Sequence, residues 1–269
     1  MVFDLLRPEN FVMKQIPIYK VRQAMTPDDL IAVQKLRYEI FVIEMGAKEG
    51  DIDHIHKLEQ DKYDPFCKHL MLIDVNRGSN PIEQIVGVYR ILTQTGAKAA
   101  GGFYTATEFD LGPLLNSGRK IIELGRSCLR KSHRGGIAML HLWQALNNFV
   151  KEEKAEVLFG TASFQGTDIQ SFVQPFSLLH NEYLTPKKIR PKAIASAYVP
   201  LNQLEVSQIE RVKALKAMPA LIKAYLRLGG GVADGAFIDY KFNTIDVCMI
   251  LDIAKMNIRQ KSIYSRKLN

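Results

Sequence analysis

Residues 120–138 read KIIELGRSCLRKSHRGGIA, and this stretch decides the fold class. Lys120–Leu129 is apolar enough to read as a strand, interrupted inside by Glu123 and Arg126. Lys131–Gly136 is a basic turn carrying two glycines. After it Met139, Leu142, Leu146, Phe149 and Val150 make an apolar stripe at helical spacing, so a helix runs over about 137–152. Glu156–Ala162 (EVLFGTA) is again strand-like. A strand–turn–helix–strand unit of this kind belongs to a sheet covered by helices.

Working toward the N-terminus, Gln84–Thr93 (QIVGVYRILT) and His69–Val75 (HLMLIDV) form a hairpin around the turn Asn76–Pro81. Gly96–Thr107 is a small-residue loop, and Gly46–Asp64 is polar, acidic and loop-like. Thr26-Pro27-Asp28-Asp29 starts a helix over about 27–44: a capping hydroxyl, proline at the first position and acids in the first turn. Leu30, Val33, Leu36, Ile40 and Phe41 give that helix its apolar face. Ile16–Val21 (IPIYKV) is a first strand. Past residue 162 the pattern predicts a helix near 167–179, a basic stretch, helices near 205–228, a turn at Gly229–Gly231 and a late strand at Thr244–Leu251. The order over 16–162 is β-α-β-β-loop-β-turn-α-β, a mixed sheet with helices on both faces, followed by a C-terminal elaboration over 163–255. No linker divides residues 16–255. Residues 1–15 and 256–269 read as arms, the latter basic through Arg259, Lys261, Arg266 and Lys267.

Composition supports a globular protein: 269 residues, 47% hydrophobic and 24% charged. That excludes disorder, collagen and a disulfide-stapled mini-protein. Apolar runs such as Val247–Leu251 fall far short of the about 20 residues that span a bilayer. Asp4, Arg7 and Glu9 interrupt any secretory apolar segment, so a cytoplasmic location is expected. Cys67, Cys128 and Cys248 are widely spaced, and His54, His56, His69 and His133 are scattered. Neither a disulfide framework nor a metal site is expected. Ser127 has no evident His/Asp partner for covalent catalysis, and Trp143 reads as core.

The net charge of +8 is unevenly spread. Residues 39–64 hold eight acids against three lysines, and residues 187–269 hold fifteen Lys/Arg against six acids. An acidic strip beside a basic half points to two partners of opposite sign. The basic half suits an acidic carrier protein, peripheral contact with an anionic membrane, or nucleic acid. The turn Arg130–Ala138 offers glycines, a helix start and the charges of Arg130, Lys131 and Arg134, the ingredients of a phosphate site. Its other reading is a plain tight turn.

Several motifs carry a resemblance. His133-Arg134-Gly135-Gly136-Ile137-Ala138 is similar to the acyl-donor motif of GNAT-type N-acyltransferases, Gln/Arg-x-x-Gly-x-Gly/Ala, with His in the first place. Arg37-x-x-x-Phe41, Asp61-x-x-Asp64, Arg90 and Glu123-x-x-Arg126 resemble the charged framework of acyl-homoserine-lactone synthases, GNAT relatives that use acyl carrier protein. FVIEMGA (41–47), FYTATEFD (103–110), ELGRSC (123–128), LFGTASFQGTD (158–168), PALIKAYLRLG (219–229) and DYKFNTID (239–246) resemble the ornithine Nα-acyltransferases of ornithine-lipid synthesis over about residues 20–255. The resemblance implies a GNAT-like α/β fold: a mixed, mostly antiparallel sheet flanked by helices. It implies transfer of a 3-hydroxyacyl group from acyl carrier protein to the α-amine of L-ornithine, giving lyso-ornithine lipid. Alternatives are a homoserine-lactone synthase, an acyltransferase for another amino acid, or, outside enzymes, a basic nucleic-acid-binding module. The last is disfavoured, since Lys187–Lys192 holds no stacking aromatic.

Such chemistry needs an amine site, a base, oxyanion donors and a grip on the carrier. Asp61 and Asp64 could hold ammonium groups and Arg37 or Arg90 a carboxylate, with Phe41 beside them; the competing reading is a solvated acidic loop. Glu123 is expected as the general base with Arg126 orienting it, or else the two form a structural ion pair. Residues three apart lie on opposite faces of a regular strand, so sharing a site requires a bulge, for which Gly125 is the natural place. No bound cofactor is expected. The resemblance implies acyl-phosphopantetheine as co-substrate, with its phosphate expected at Arg130, Arg134, Gly135, Gly136, Ile137 and Ala138. Lys187, Lys188, Arg190 and Lys192 would dock the acidic carrier.

Overall fold

The computed structural model describes residues 16–48 and 51–257. Its centre is a nine-stranded sheet. The main strands are β1 (Tyr19–Gln23), β2 (Lys68–Asp74), β3 (Ile85–Thr93), β4 (Ile121–Leu129), β5 (Val157–Gln165), β6 (Ala236–Asp239) and β7 (Thr244–Asp252). They lie in the order β1-β2-β3-β4-β5-β7-β6, with Tyr198–Val199 beside β6 and Gly231–Val232 on β7. The pair β4–β5 is parallel and the other paired strands are antiparallel. The parallel join needs a crossover, which the predicted helix supplies as α2 (Ala138–Glu152).

The helix α1 (Pro27–Arg37) begins as its sequence requires. Thr26 Oγ1 accepts from the Asp29 backbone N–H at 3.1 Å, and the Asp29 carboxylate accepts from the Thr26 N–H at 3.3 Å, a reciprocal cap. Beyond Arg37 the chain widens into a π-helical segment, Tyr38–Glu44, so the expected helix has its predicted length but two windings. α1 and α2 cover opposite faces of the sheet. Strand alternation turns Met71 toward Val33, Leu36 and Ile40 of the first helical segment, and Leu70 and Leu72 toward Leu142, Trp143 and Leu146 of α2. These clusters are the core on either side of β2–β4.

Local departures have local causes. The expected loop 46–64 contains a hairpin, Asp51–Asp53 with Leu58–Gln60, because Glu59 is drawn inward by arginines. The expected loop 96–107 contains a helix, Gln94–Ala100, started by Thr93 Oγ1 accepting from the Gly96 N–H, and a 3₁₀ turn, Tyr104–Thr107. The helix expected at 167–179 is α3 (Val173–Tyr183), delayed by a 3₁₀ turn that Asp168 caps. Pro219 splits the next helical stretch into Arg211–Ala217 and α4 (Ala220–Arg227). The N-terminal arm, Glu49 of the acidic strip and the basic tail residues lie outside the described residues. Among the described residues no helix is long and apolar enough to cross a membrane. Cys128 and Cys248 are buried and Cys67 half-buried, all free thiols.

The pairing of β4 with β5 runs from Ile121–Val157 to Glu123–Phe159 and then stops. Gly160 marks the last close approach: a Cβ there would lie 2.0 Å from the Leu124 carbonyl oxygen. Past this point the two strands part, each still held by its outer neighbour.

Candidate active site

The gap between β4 and β5 opens on a small cavity bordered by Arg90, Tyr104, Glu123, Gly125, Arg126 and Thr161. Glu123 is 4% exposed. Its carboxylate accepts the backbone N–H groups of Tyr104 at 2.9 Å and Thr105 at 2.5 Å, so the 3₁₀ turn before the sheet holds it in place. Burial pushes its pKa up, while these N–H donors and Arg90 pull the other way. A buried carboxylate of this kind has a raised affinity for a proton.

Arg126 does not pair with Glu123 or orient it, contrary to both sequence readings. The β3–β4 register shifts so that Arg126 and Ser127 together face Tyr89; the expected bulge therefore lies one residue past Gly125. Arg126 takes the left-handed conformation, φ 48°. This turns its guanidinium to Glu59 (Nε–Oε1, 3.1 Å) and Asp61 (Nη2–Oδ2, 3.0 Å), between the rings of Tyr104 and Phe242. Phe41 meets Phe242 edge-on at 6.2 Å and completes that wall.

The residues assigned to the amino acid from sequence come together, but mostly on one another. Arg37 donates to Glu59 and to Asp64 (2.7 Å); Arg90 donates to Asp61 (2.6 Å) and Asp64 (2.8 Å). With Arg126 they form a cluster of three arginines and three acids. Asp64 also accepts from Gln34 Nε2 at 3.0 Å. Arg37 is 0% and Asp64 3% exposed, which corrects two expectations: neither offers a free surface to a substrate, and Asp64 is no solvated loop residue. Arg37 braces Glu59 and Asp64, and Asp64 in turn braces Arg90. The arginines keep the Glu59 carboxyl down at about 2 and hold Asp64 well below the usual carboxylate range.

The basic turn is also partly spoken for. Arg130 donates to the Ile85 carbonyl at 2.9 Å and pairs with Glu39; Arg134 donates to the Leu129 carbonyl at 2.9 Å and pairs with Glu44. Their charges are therefore matched by the π-helical segment, and what the turn leaves open is backbone. Gly135 has φ +78°, and a Cβ at Gly135 or Gly136 would meet nothing within 4 Å. Ile137 caps α2 without a side-chain hydrogen bond, leaving its first N–H groups and that of Ala138 without a side-chain cap. His133 sits where the motif has Gln or Arg, and its Nε2 lies 3.1 Å from Asp74, a structural tie to β2. Of the second basic stretch, Lys187 and Lys188 are exposed. Arg190 donates to the Thr185 carbonyl, and Lys192 lies 3.8 Å from Asp234, so these two serve the local fold first.

Sequence reasoning missed Glu59, hidden in an acidic run, and the backbone donors of Tyr104 and Thr105. It also missed three buried carboxyl groups, Glu108, Asp239 and Asp246, whose acceptor atoms lie within 4.8 Å of one another. All three fall within FYTATEFD and DYKFNTID.

Comparison with known proteins places this geometry. The acetyltransferase (GNAT) domain model matches residues 36–144. A Rhodobacter capsulatus protein named L-ornithine N(alpha)-acyltransferase is 43% identical over 250 residues, covering 93% of this chain and 96% of that one. A Rhizobium meliloti protein of the same name is 34% identical, covering 96% and 88%. Among solved structures, FeeM, an N-acyl amino acid synthase from uncultured soil microbes, superposes with a TM-score of 0.52 at 12% identity, covering 92% of this chain and 99% of that one, which shows a shared fold. The fold is GNAT-like, and this chain belongs to the L-ornithine Nα-acyltransferase family.

Proposed function

We propose that this chain moves a 3-hydroxyacyl group from acyl carrier protein to the α-amine of L-ornithine, giving lyso-ornithine lipid. The observation that carries the reading is Glu123: a buried carboxylate with raised proton affinity, fixed by two backbone donors where β4 and β5 part. In this reading Glu123 takes a proton from the ornithine ammonium, directly or through water. The freed amine attacks the thioester carbonyl; a C–N bond forms, the C–S bond breaks, and the carrier leaves as its thiol. Backbone groups released from the β4–β5 ladder are the donors toward the developing oxyanion. Arg90 and Arg126 border the cavity and would face the amino acid's carboxylate, with Asp61 and Phe41 shaping its rim. The single phosphate of phosphopantetheine would rest on the open backbone of Gly135–Ala138. Exposed Lys187 and Lys188 would meet the acidic carrier.

The test is incubation of the purified chain with 3-hydroxyacyl-carrier or acyl-Coenzyme A, in the presence of ornithine, lysine or S-adenosylmethionine, followed by mass spectrometry. N-acylornithine from the carrier thioester is expected; an acyl-homoserine lactone, or equal use of Coenzyme A, would overturn the reading. Glu123→Gln should lower kcat about 10²–10⁴-fold, with partial recovery at high pH where more amine is already neutral.

A further inference from the structure

Glu108, Asp239 and Asp246 stand apart from the ion cluster of the site. They are 3%, 7% and 5% exposed. Glu108 follows the Tyr104–Thr107 turn, Asp239 ends β6, and Asp246 lies on β7. In the β6–β7 register Asp239 faces Thr244, and Asp246 is two residues past Thr244, so all three side chains share one face of the sheet.

The buried carboxylates of the site itself are matched: Glu59 and Asp64 by arginines, Glu123 by two backbone N–H groups. The triad is not. Glu108 Oε2 and Asp246 Oδ1 are buried without a hydrogen-bond partner. Asp239 Oδ1 accepts only the backbone N–H groups of Lys241 and Phe242. The Thr244 hydroxyl, on a residue 1% exposed, lies on the same face as the two aspartates, beside Asp246 together with Ser163 and Glu108. Three acids buried together repel one another and are costly to desolvate, so the arrangement makes sense for a cation that arrives from outside.

We infer that Glu108, Asp239 and Asp246 seat the side-chain ammonium of the diamino acid whose α-amine is acylated beside Glu123. This rests on the ornithine reading above and assigns it a specificity site. An ammonium carries three N–H donors, and acceptors around it at about 2.9 Å stand roughly 4.7 Å apart. The triad's acceptor atoms fall within that spread, at up to 4.8 Å. The placement also fits. Thr105 holds Glu123 through its N–H, and Glu108 follows three residues on, so one 3₁₀ turn links the two carboxylate groups. Tyr104 joins the two regions: its ring stacks on Arg126, and its hydroxyl lies in the field of all three acids. Asp61 and Asp64 cannot take this role because arginines already occupy them.

The experiment compares ornithine with norvaline, which has the same carbon chain and no side-chain ammonium. In the full chain, Glu108→Gln and Asp246→Asn should each reduce the ornithine-to-norvaline ratio of kcat/KM by about 10²-fold, the value of a lost charge-assisted contact. A merely structural role would lower both acceptors together and leave the ratio unchanged, which overturns the proposal. Calorimetric titration with ornithine alone gives a readout independent of turnover: binding to the parent that is lost in both variants supports the triad even if no donor yields N-acylornithine, an outcome that would count against the proposed reaction only. Titration with Ca²⁺ or Mg²⁺ alone covers the remaining possibility. A divalent ion that binds the parent and not the variants, with ornithine binding unaltered, makes the triad a metal site and refutes the assignment.

Discussion

Glu59→Gln is the sharpest test of how the site is held together. Glu59 is 2% exposed, and its two oxygens serve Arg37 and Arg126. The amide would keep the shape and leave two buried guanidiniums short of an anion. The arginines lower the Glu59 carboxyl from 4.5 to about 2. At 1.36 kcal/mol per pH unit, that difference corresponds to about 3 kcal/mol of stability, the size expected for breaking a buried pair. Because the folded-state value is depressed, the contribution is present in full above pH 4.5 and is lost as pH falls toward about 2. In a thermal scan at pH 7 followed by Trp143 fluorescence, Tm should drop by roughly 6–12 °C. The gap to the parent should close between pH 4.5 and 2. The control is Glu39→Gln, which breaks an exposed pair with Arg130 and should cost less than about 1 kcal/mol. If Glu59→Gln melts with Glu39→Gln at pH 7, or its deficit persists unchanged at pH 3, the cluster does not hold the site.

Asp246→Asn should stabilise the ligand-free protein, because burial and Asp239 push its carboxyl from 3.8 up to about 6. With a raised folded-state value the penalty grows as pH rises from 3.8 to about 6, so denaturation should show a gain of about 1–3 kcal/mol at pH 7.5 that vanishes below pH 3.8. Gly160→Ala should yield little soluble protein, since its Cβ would overlap the Leu124 carbonyl, whereas Gly136→Ala meets open space and should purify and melt like the parent. Lys187→Glu with Lys188→Glu should raise KM for the carrier thioester and flatten its salt dependence without moving Tm.

The sheet was legible because β2, β3, β4 and α2 have strong apolar periodicity, and α1 because its cap is written in Thr26–Asp29. The hairpin at 51–60 was not, because what folds it is the pull of Arg37 and Arg126 on Glu59 from distant parts of the chain. The same reason blurred the site. The motifs named Arg37, Asp61, Asp64, Arg90, Glu123 and Arg126 and rightly brought them together. Their roles depend on which acid faces which base, and that follows from a bulge at Arg126–Ser127 that strand spacing alone does not reveal. Charge counts left nucleic acid open as a partner; family membership replaces that reading with an acyltransferase. The triad escaped notice because Glu108 is remote in sequence from Asp239 and Asp246, and only the folded chain brings the three together.

The free thiols have a chemical consequence. Cys67 lies in the field of Arg90, Asp61, Asp64 and Glu123, close to the proposed reaction, and burial pushes its thiol up to about 12. Cys128 stands at about 12 for the same reason. At pH 8 only about one such thiol in 10⁴ is a thiolate, the form that attacks acyl thioesters. In the proposed reaction an acyl thioester beside Cys67 would therefore face a protonated thiol, a far weaker nucleophile than a neutral amine.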